Sequence, residues 1–304
     1  MKTRLLLLLL LAPPLHAAPG DDDLLKFVRD RSQAERVTPK PFDMKPLVAQ
    51  RCNIDGVIAE KEHGGSLFHV FTNEPATLPI FDPWGKFPEG SLVLKEKIDR
   101  ESGKPSLFTG MLKREAGYWP ESGDWEFFTV DAAATKIAER GKLKRCASCH
   151  DDYEKSDHIT RMGYIRPVQL SGGWIILHSS RAEAYGEKLH YEEQENKNTL
   201  GFWVNPGDWA SWDFEVQRPG TYAIHIWQGC GTGSGDSEVE IKCADQSSRF
   251  KVEETGHFQN FKERVIGKVT FAKAGAQTLE VRPVSKPGLA VMDLRQVVLV
   301  PVKQ

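Results

Sequence analysis

Two thiols three residues apart with an imidazole directly after them, Cys146-Ala147-Ser148-Cys149-His150, constrain this chain more than any other stretch. Residues at i, i+3 and i+4 share one face of a helix, so all three side chains address one object. Thiols at that spacing reach the two vinyl groups on one edge of a porphyrin, and the adjacent imidazole reaches the iron. This is the C-x-x-C-H attachment signature of haem c, with His as the axial ligand. With 5 Cys and 9 His in 304 residues, chance gives roughly 0.002 such motifs. Two other readings of a thiol pair exist. Zinc calls for a second ligand pair at finger-like spacing, and the sequence has no second C-x-x-C. A redox dithiol needs no adjacent His and accompanies a βαβ pattern, which the sequence lacks. The expectation is one covalent haem c on Cys146 and Cys149, its iron bound by His150.

The start of the chain agrees with that chemistry. Met1-Lys2-Thr3-Arg4 is basic, Leu5 to Leu11 is an unbroken apolar run, and Leu15-His16-Ala17-Ala18 offers small residues for cleavage. The run is far shorter than the roughly 20 residues of a membrane span, so residues 1–18 read as a secretory signal peptide. The expectation is a periplasmic or secreted protein without a membrane span. A net charge of −2 gives no footprint for nucleic acid. Removing the haem pair leaves Cys52, Cys230 and Cys243, an odd number, so at least one thiol is unpaired or linked to another chain. A Cys230–Cys243 bridge stays open as an alternative.

Mainly β structure with some α is expected. Asp21-Asp22-Asp23 followed by Leu24, Leu25, Phe27 and Val28 reads as an N-capped helix of about ten residues, and 36–46, with Pro39, Pro41 and Pro46, as a tether. Residues 66–71, 91–98, 107–113 and 124–130 are short runs rich in β-branched and aromatic residues, divided by Gly and Pro, and so predict an antiparallel sheet. Residues 131–141, with Asp at the start and Gly at the end, predict a short helix before the thiol motif. Ordinary small cytochromes c carry that motif near the start of an all-helical domain, so they fit poorly.

The stretches 87–96 (Phe-Pro-Glu-Gly-Ser-Leu-Val-Leu-Lys-Glu), 110–113 (Gly-Met-Leu-Lys) and 123–127 (Gly-Asp-Trp-Glu-Phe), then 146–150 and Asp157, resemble the cytochrome P-460 family. Its relatives include the β-sheet cytochromes c′. The resemblance covers about residues 45–165 and implies an antiparallel sheet packed with helices, a proximal His and a distal position that is often open. Some members bind nitric oxide or carbon monoxide. Others oxidise hydroxylamine and have a lysine joined to the porphyrin, which matches Lys95 here. The ordinary reading of Lys95, in Lys95-Glu96-Lys97, is a solvated strand residue. Met111, Met162, His63, His69 and His158 are the other side chains that could reach iron, and the resemblance favours none of them. Met111 and Met162 read as core filler, His158 as a surface group, and Asp157 as a hydrogen-bonding group near the haem edge.

Ser171-Gly172-Gly173 marks a boundary. The expected division is 1–18 signal, 19–44 helix and tether, 45–168 haem domain, 169–174 linker and 175–304 second domain. Past the boundary, strand-like runs at 214–216, 221–227, 238–242, 267–271, 277–281 and 296–300 alternate with Gly- and Pro-marked turns, the pattern of a jelly-roll-like β-sandwich. Trp203-x-Asn205-Pro206-Gly207-Asp208, Ser211-Trp212, Pro219-Gly220-Thr221-Tyr222, Thr255-Gly256-x-Phe258 and Val291-Met292-Asp293 resemble the carbohydrate-module-like sandwich domains appended to exported bacterial hydrolases. The resemblance implies polysaccharide as a partner. Trp203, Trp209 and Trp227 are then the candidates for stacking on sugar, while Trp212 and Tyr222 read as core. It also implies a structural calcium on Glu183 and Asp293.

No G-x-S-x-G, H-E-x-x-H or phosphate-cradling loop before a helix occurs. The expected functions are therefore those of the iron: binding a small gaseous or nitrogenous ligand, oxidising hydroxylamine or a similar nitrogen compound, or passing electrons to a partner.

Overall fold

In the computed structural model, residues 18–32, 34–43, 67–160 and 167–302 are described. The signal region, Cys52, His63 and Met162 lie outside them. The first half is built on one antiparallel sheet: β1 (Glu35–Arg36), β2 (Phe42–Asp43), β3 (Leu67–Thr72), β4 (Leu92–Ile98), β5 (Pro105–Lys113), β6 (Trp125–Asp131) and β7 (Ile137–Gly141). Its order is β1-β3-β4-β5-β6-β7, with β2 also pairing β3. The expected strands stand within a residue or two of their predicted bounds. The stretch read as a tether instead supplies β1 and β2, which hydrogen-bond to β3.

The two faces of this sheet bury different things, as a strand's period of two requires. On one face Phe71, Leu92, Leu94, Phe108, Leu112 and Phe128 form a core. It is covered by α1 (Asp21–Arg29), whose Leu24 and Val28, one turn apart, point down onto it. Asp21 to Asp23 sit in the first turn of α1 and Lys26 and Arg29 in the last, each favourable to the helix dipole. On the other face Phe68, Val70, Val93, Met111, Trp125 and Phe127 form a second core. Lys95 lies on that face, two residues from Val93.

The helix expected over 131–141 does not form. The Asp131 carboxylate accepts from the N–H groups of Thr135 and Lys136 (2.7 and 2.6 Å) and from the Thr135 hydroxyl (2.8 Å). Ala134 adopts a φ of 55°. The chain reverses there, and β7 returns along β6, Val130 opposite Ile137 and Thr129 opposite Glu139. A short polar side chain bonding its own downstream backbone favours a turn over a helix start.

The second half is a sandwich of two antiparallel sheets. One has the order β10-β13-β18-β15-β16, from β10 (Glu183–Tyr185), β13 (Trp209–Val216), β18 (Gly275–Ser285), β15 (Glu238–Cys243) and β16 (Gln246–Lys251). The other runs β11-β12-β19-β14-β17, from β11 (His190–Glu192), β12 (Thr199–Gly201), β19 (Asp293–Pro301), β14 (Gly220–Gly229) and β17 (Lys262–Phe271). The hairpin of β8 (Val168–Gln169) and β9 (Ile175–His178) adds to it at β19. Residues 169–174, read as a linker, are thus mostly the turn of a hairpin within the sandwich.

The two halves share a core. In β9 and β19, Ile175, Leu177, Val297 and Leu299 face the sandwich interior. Ile176 and Val298 face the other way and join the cluster that holds Met111, Phe127 and Ala147. Residues 297–300 are apolar without alternation because that strand is buried on both faces. Polar contacts frame the junction. The Trp84 indole donates to the Glu193 carbonyl (2.7 Å), the Asn198 amide to Asp82, and the Gly172 N–H to Glu35 (2.6 Å). Ile176→Ala is expected to cost about 2–5 kcal/mol and to lower the denaturation midpoint of both halves together, read by circular dichroism and tryptophan fluorescence. Two separated transitions, with only one shifted, would contradict a shared core.

Candidate functional site

β7 delivers the chain to α2, the short helix Lys144–His150. (The one-turn helix Glu74–Thr77, after β3, plays no part in the site.) Ala147 is buried and Cys146 packs against the core formed by Met111 and Phe127. Helix α2 therefore presents Cys146 and His150 to the second face of the first sheet.

His150 is fixed on both sides. Its ring lies 5.3 Å from that of Phe127, tilted by 54°. Its Nδ1 is 2.7 Å from the His158 carbonyl oxygen. A carbonyl only accepts, so Nδ1 carries the proton and the lone pair resides on Nε2, the atom that binds a metal. Burial pushes the His150 pKa down to about 4. The positive charge of nearby Lys95 pushes the same way, and the bond to His158 opposes both. The imidazole is thus neutral near pH 7, as a metal ligand must be.

The carbonyl that His150 uses comes from a tightly held corner. Asp157 and His158 have φ of 55° and 60°, consecutive left-handed residues that cost of order 1–2 kcal/mol each. The Trp125 indole donates to the Asp157 carbonyl (2.9 Å). The His158 ring is buried and its Nδ1 lies 3.1 Å from Asp151. Gly123, at a φ of 60°, abuts that ring, and a Cβ there would come within 2.4 Å of it. His158 is therefore not the surface group expected. It is folded back behind His150.

The other expected groups fall as follows. Lys95 shares the face of His150, with Nζ 4.9 Å from the Phe68 ring centroid. His69 pairs with Glu96 across β3 and β4 and lies with Phe71 on the opposite face, so it does not look toward His150. Met111 is packed in the core beside Phe127, as core filler would be. Among the described residues no set of three or more His, Cys, Asp or Glu forms a metal cage. A helix carrying two thiols and a neutral, oriented imidazole over an apolar sheet face does suit a haem.

In the sandwich, Trp203 is wholly buried and its indole donates to the Asp208 carbonyl (2.9 Å). Its ring is out of reach of a sugar in solvent. Trp227 is half-buried and packs against the core shared with the first half. Trp209 stands between Tyr185, stacked at 4.0 Å and 9°, and the Arg282 guanidinium at 3.4 Å, so both of its faces are taken. Cys230 and Cys243 are separate buried thiols. Glu183 and Asp293 sit on different sheets, and the neighbours of Asp293 are Gln259, Glu192, Lys197 and Arg295.

Asp293 and Glu192 close over Gly201, where a Cβ would come within 3.2 and 2.2 Å of their oxygens. Burial pushes the Asp293 pKa from 3.8 up to about 7. The folded protein then holds a proton that the unfolded chain releases. This contribution to stability is complete below pH 3.8 and disappears as pH rises through about 7. Asp293→Asn is expected to lose less stability than the wild type between pH 4 and pH 7 in thermal melts. Parallel curves for the two proteins would contradict the assignment.

Residues 184–302 match the family described as Domain of unknown function (DUF5077). Comparison with curated protein sequences gives no match. Among solved structures, an α-L-fucosidase from Vibrio sp. strain EJY3 is 19% identical over 45% of this chain, with a TM-score of 0.31. The match spans 24% of that enzyme. A family 35 carbohydrate binding module from Clostridium thermocellum is 14% identical, with 43% of this chain and 99% of the module covered and a TM-score of 0.32. The C-terminal CBM6 of the Zobellia galactanivorans laminarinase LamC gives 14%, 42%, 99% and 0.32 for the same measures.

Proposed function

We propose that this protein is an exported c-type cytochrome whose first half holds one haem and binds small ligands such as nitric oxide or carbon monoxide. The reading is supported above all by His150, whose Nδ1–H is committed to a carbonyl 2.7 Å away so that Nε2 is left for iron. Cys146 and Cys149 would hold the haem as thioethers, each thiol adding across one vinyl group with its hydrogen passing to the second vinyl carbon. The haem supplies an iron that binds a diatomic ligand or exchanges one electron. The chain's residues hold it: Phe127 limits rotation of the His150 ring and the His158 carbonyl sets its tautomer. Among the described residues, His69 lies on the opposite sheet face and His158 behind His150, and an open site for an external ligand is part of the proposal. Export, and with it access to haem attachment, rests on residues 1–18. No described helix is long and apolar enough to cross a membrane.

Lys95 carries a second reading, because its ammonium shares the His150 face. In this reading Lys95 would be joined covalently to the porphyrin, and the haem would then be of the hydroxylamine-oxidising kind that the family resemblance implies. For the sandwich, sugar contact is the finer proposal, and its support is the Tyr185 ring, 36% exposed at the outer side of the Tyr185–Trp209–Arg282 stack.

The full chain, produced in a bacterium that attaches haem c, is expected to retain haem on a denaturing gel. Cys146→Ala/Cys149→Ala is expected to lose it. Carbon monoxide is expected to shift the Soret band of the reduced protein. A wild-type protein without covalent haem would overturn the reading, and a reduced spectrum indifferent to carbon monoxide would turn it toward electron transfer. Mass spectrometry of haem peptides that include residue 95 decides between the two readings of Lys95.

A further inference from the structure

The corner behind His150 is more elaborate than a hydrogen-bond acceptor needs. A carbonyl at the right distance is enough to set a tautomer, yet here the corner that carries the acceptor is braced from three elements. The Asp157 carboxylate is buried and holds two partners: Lys113 Nζ at 2.7 Å on Oδ1 and the Phe87 N–H at 2.8 Å on Oδ2. Lys113 ends β5, and its ammonium also lies 5.0 Å from the Trp125 ring centroid. Trp125 opens β6 and donates to the Asp157 carbonyl. The next residue, His158, carries the carbonyl that His150 uses.

We propose that Asp157, clamped by Lys113, Phe87 and Trp125, is a positioning residue that sets the strength of the His150 Nδ1–H to His158 carbonyl bond and so tunes the electron donation of His150 to the iron. The inference rests on the haem reading above. The physical link is short. Asp157 is one peptide from the acceptor, and both residues sit in left-handed backbone that persists only where surroundings over-determine it. The charge-assisted Lys113–Asp157 contact, with both side chains at least 85% buried, is the strongest of those restraints. A firm acceptor draws the Nδ1 proton and makes the imidazole a better donor at Nε2, as second-shell partners of metal-bound His do. Greater donation favours the ferric state, so the reduction potential falls as the acceptor tightens.

The clamp also ties the tuning to the fold. Phe87 belongs to the loop before β4, Lys113 to the end of β5, and Trp125 to the start of β6. A change in how those strand ends meet reaches the iron through one carbonyl.

The test uses full-length, haem-loaded Asp157→Asn and Lys113→Gln proteins, with Glu126→Gln as a control. Glu126 is a buried carboxylate on the same strand as Trp125, ion-paired to Arg114 and Arg140, on the face away from His150. The readouts are the iron–histidine stretching frequency of the reduced, five-coordinate protein by resonance Raman and the reduction potential by spectroelectrochemistry. Asp157→Asn and Lys113→Gln are each expected to lower the stretching frequency and raise the potential. Glu126→Gln is expected to lower the melting temperature and move neither. Folded, haem-bearing Asp157→Asn with wild-type frequency and potential would overturn the proposal. Should Asp157→Asn fail to fold, the same two readings on Lys113→Gln decide it. A wild-type protein that lacks covalent haem overturns the haem reading itself, which keeps the two failures apart.

Discussion

The first sheet is buried on both faces, and the rest of the molecule depends on that. A sheet with one wet face tolerates polar residues at every second position, but between β3 and β6 this one buries apolar side chains on both faces and the charged Glu96, Lys97 and Glu126 with them. Leu94, Phe108 and Phe128 need the cover of α1, while Val93, Met111 and Phe127 need a second cover. Helix α2 and the outer face of the sandwich supply it. Burying apolar area at about 25 cal/mol per Å² makes this cover a condition of folding for the first half. The thiol motif is therefore part of the lid over a core, besides carrying reactive groups.

The same constraint explains which features could be read from the sequence. Strands β3 to β6 were legible because each is a short run rich in β-branched and aromatic residues divided from the next by Gly and Pro. Helix α1 was legible from three Asp residues before Leu24 and Val28. The 131–141 segment misled because Asp at a helix start and Asp at a turn present the same residue. Only the register of the returning strand, Val130 with Ile137, separates the two. The short strands β8 to β12 were missed because each has two to four residues, too few to show a period.

The site divides along a similar line. Cys146, Cys149 and His150 were legible because their chemistry resides in side chains at fixed spacing. The partner of His150 was not, since a backbone carbonyl belongs to every residue and its placement depends on where the chain turns. The one trace was Asp157-His158, two residues tolerant of left-handed backbone after a polar run. His158 looked like a surface group because eight residues separate it from His150. A tight turn folds it back, and Gly123 leaves room for its ring.

The sandwich carries the consequence furthest. In a free-standing module, the outer face of the sheet that holds β9, β14 and β19 would meet water, and aromatic residues there would be natural ligand contacts. Here Trp174, Trp227, Ile176 and Val298 on that face join the cluster that contains Cys146 and Ala147. Both tryptophans are half-buried, and the part of each ring that packs against the first half is not open to a sugar. Asp82, hydrogen-bonded to Asn198, lies 4.0 Å from buried His178, and such a buried polar junction specifies one docking geometry while adding little net stability. Aromatic content in a sandwich domain therefore predicts ligand binding only once the sheet faces are known to be open. In this chain one of them is closed by the half that carries the thiol motif.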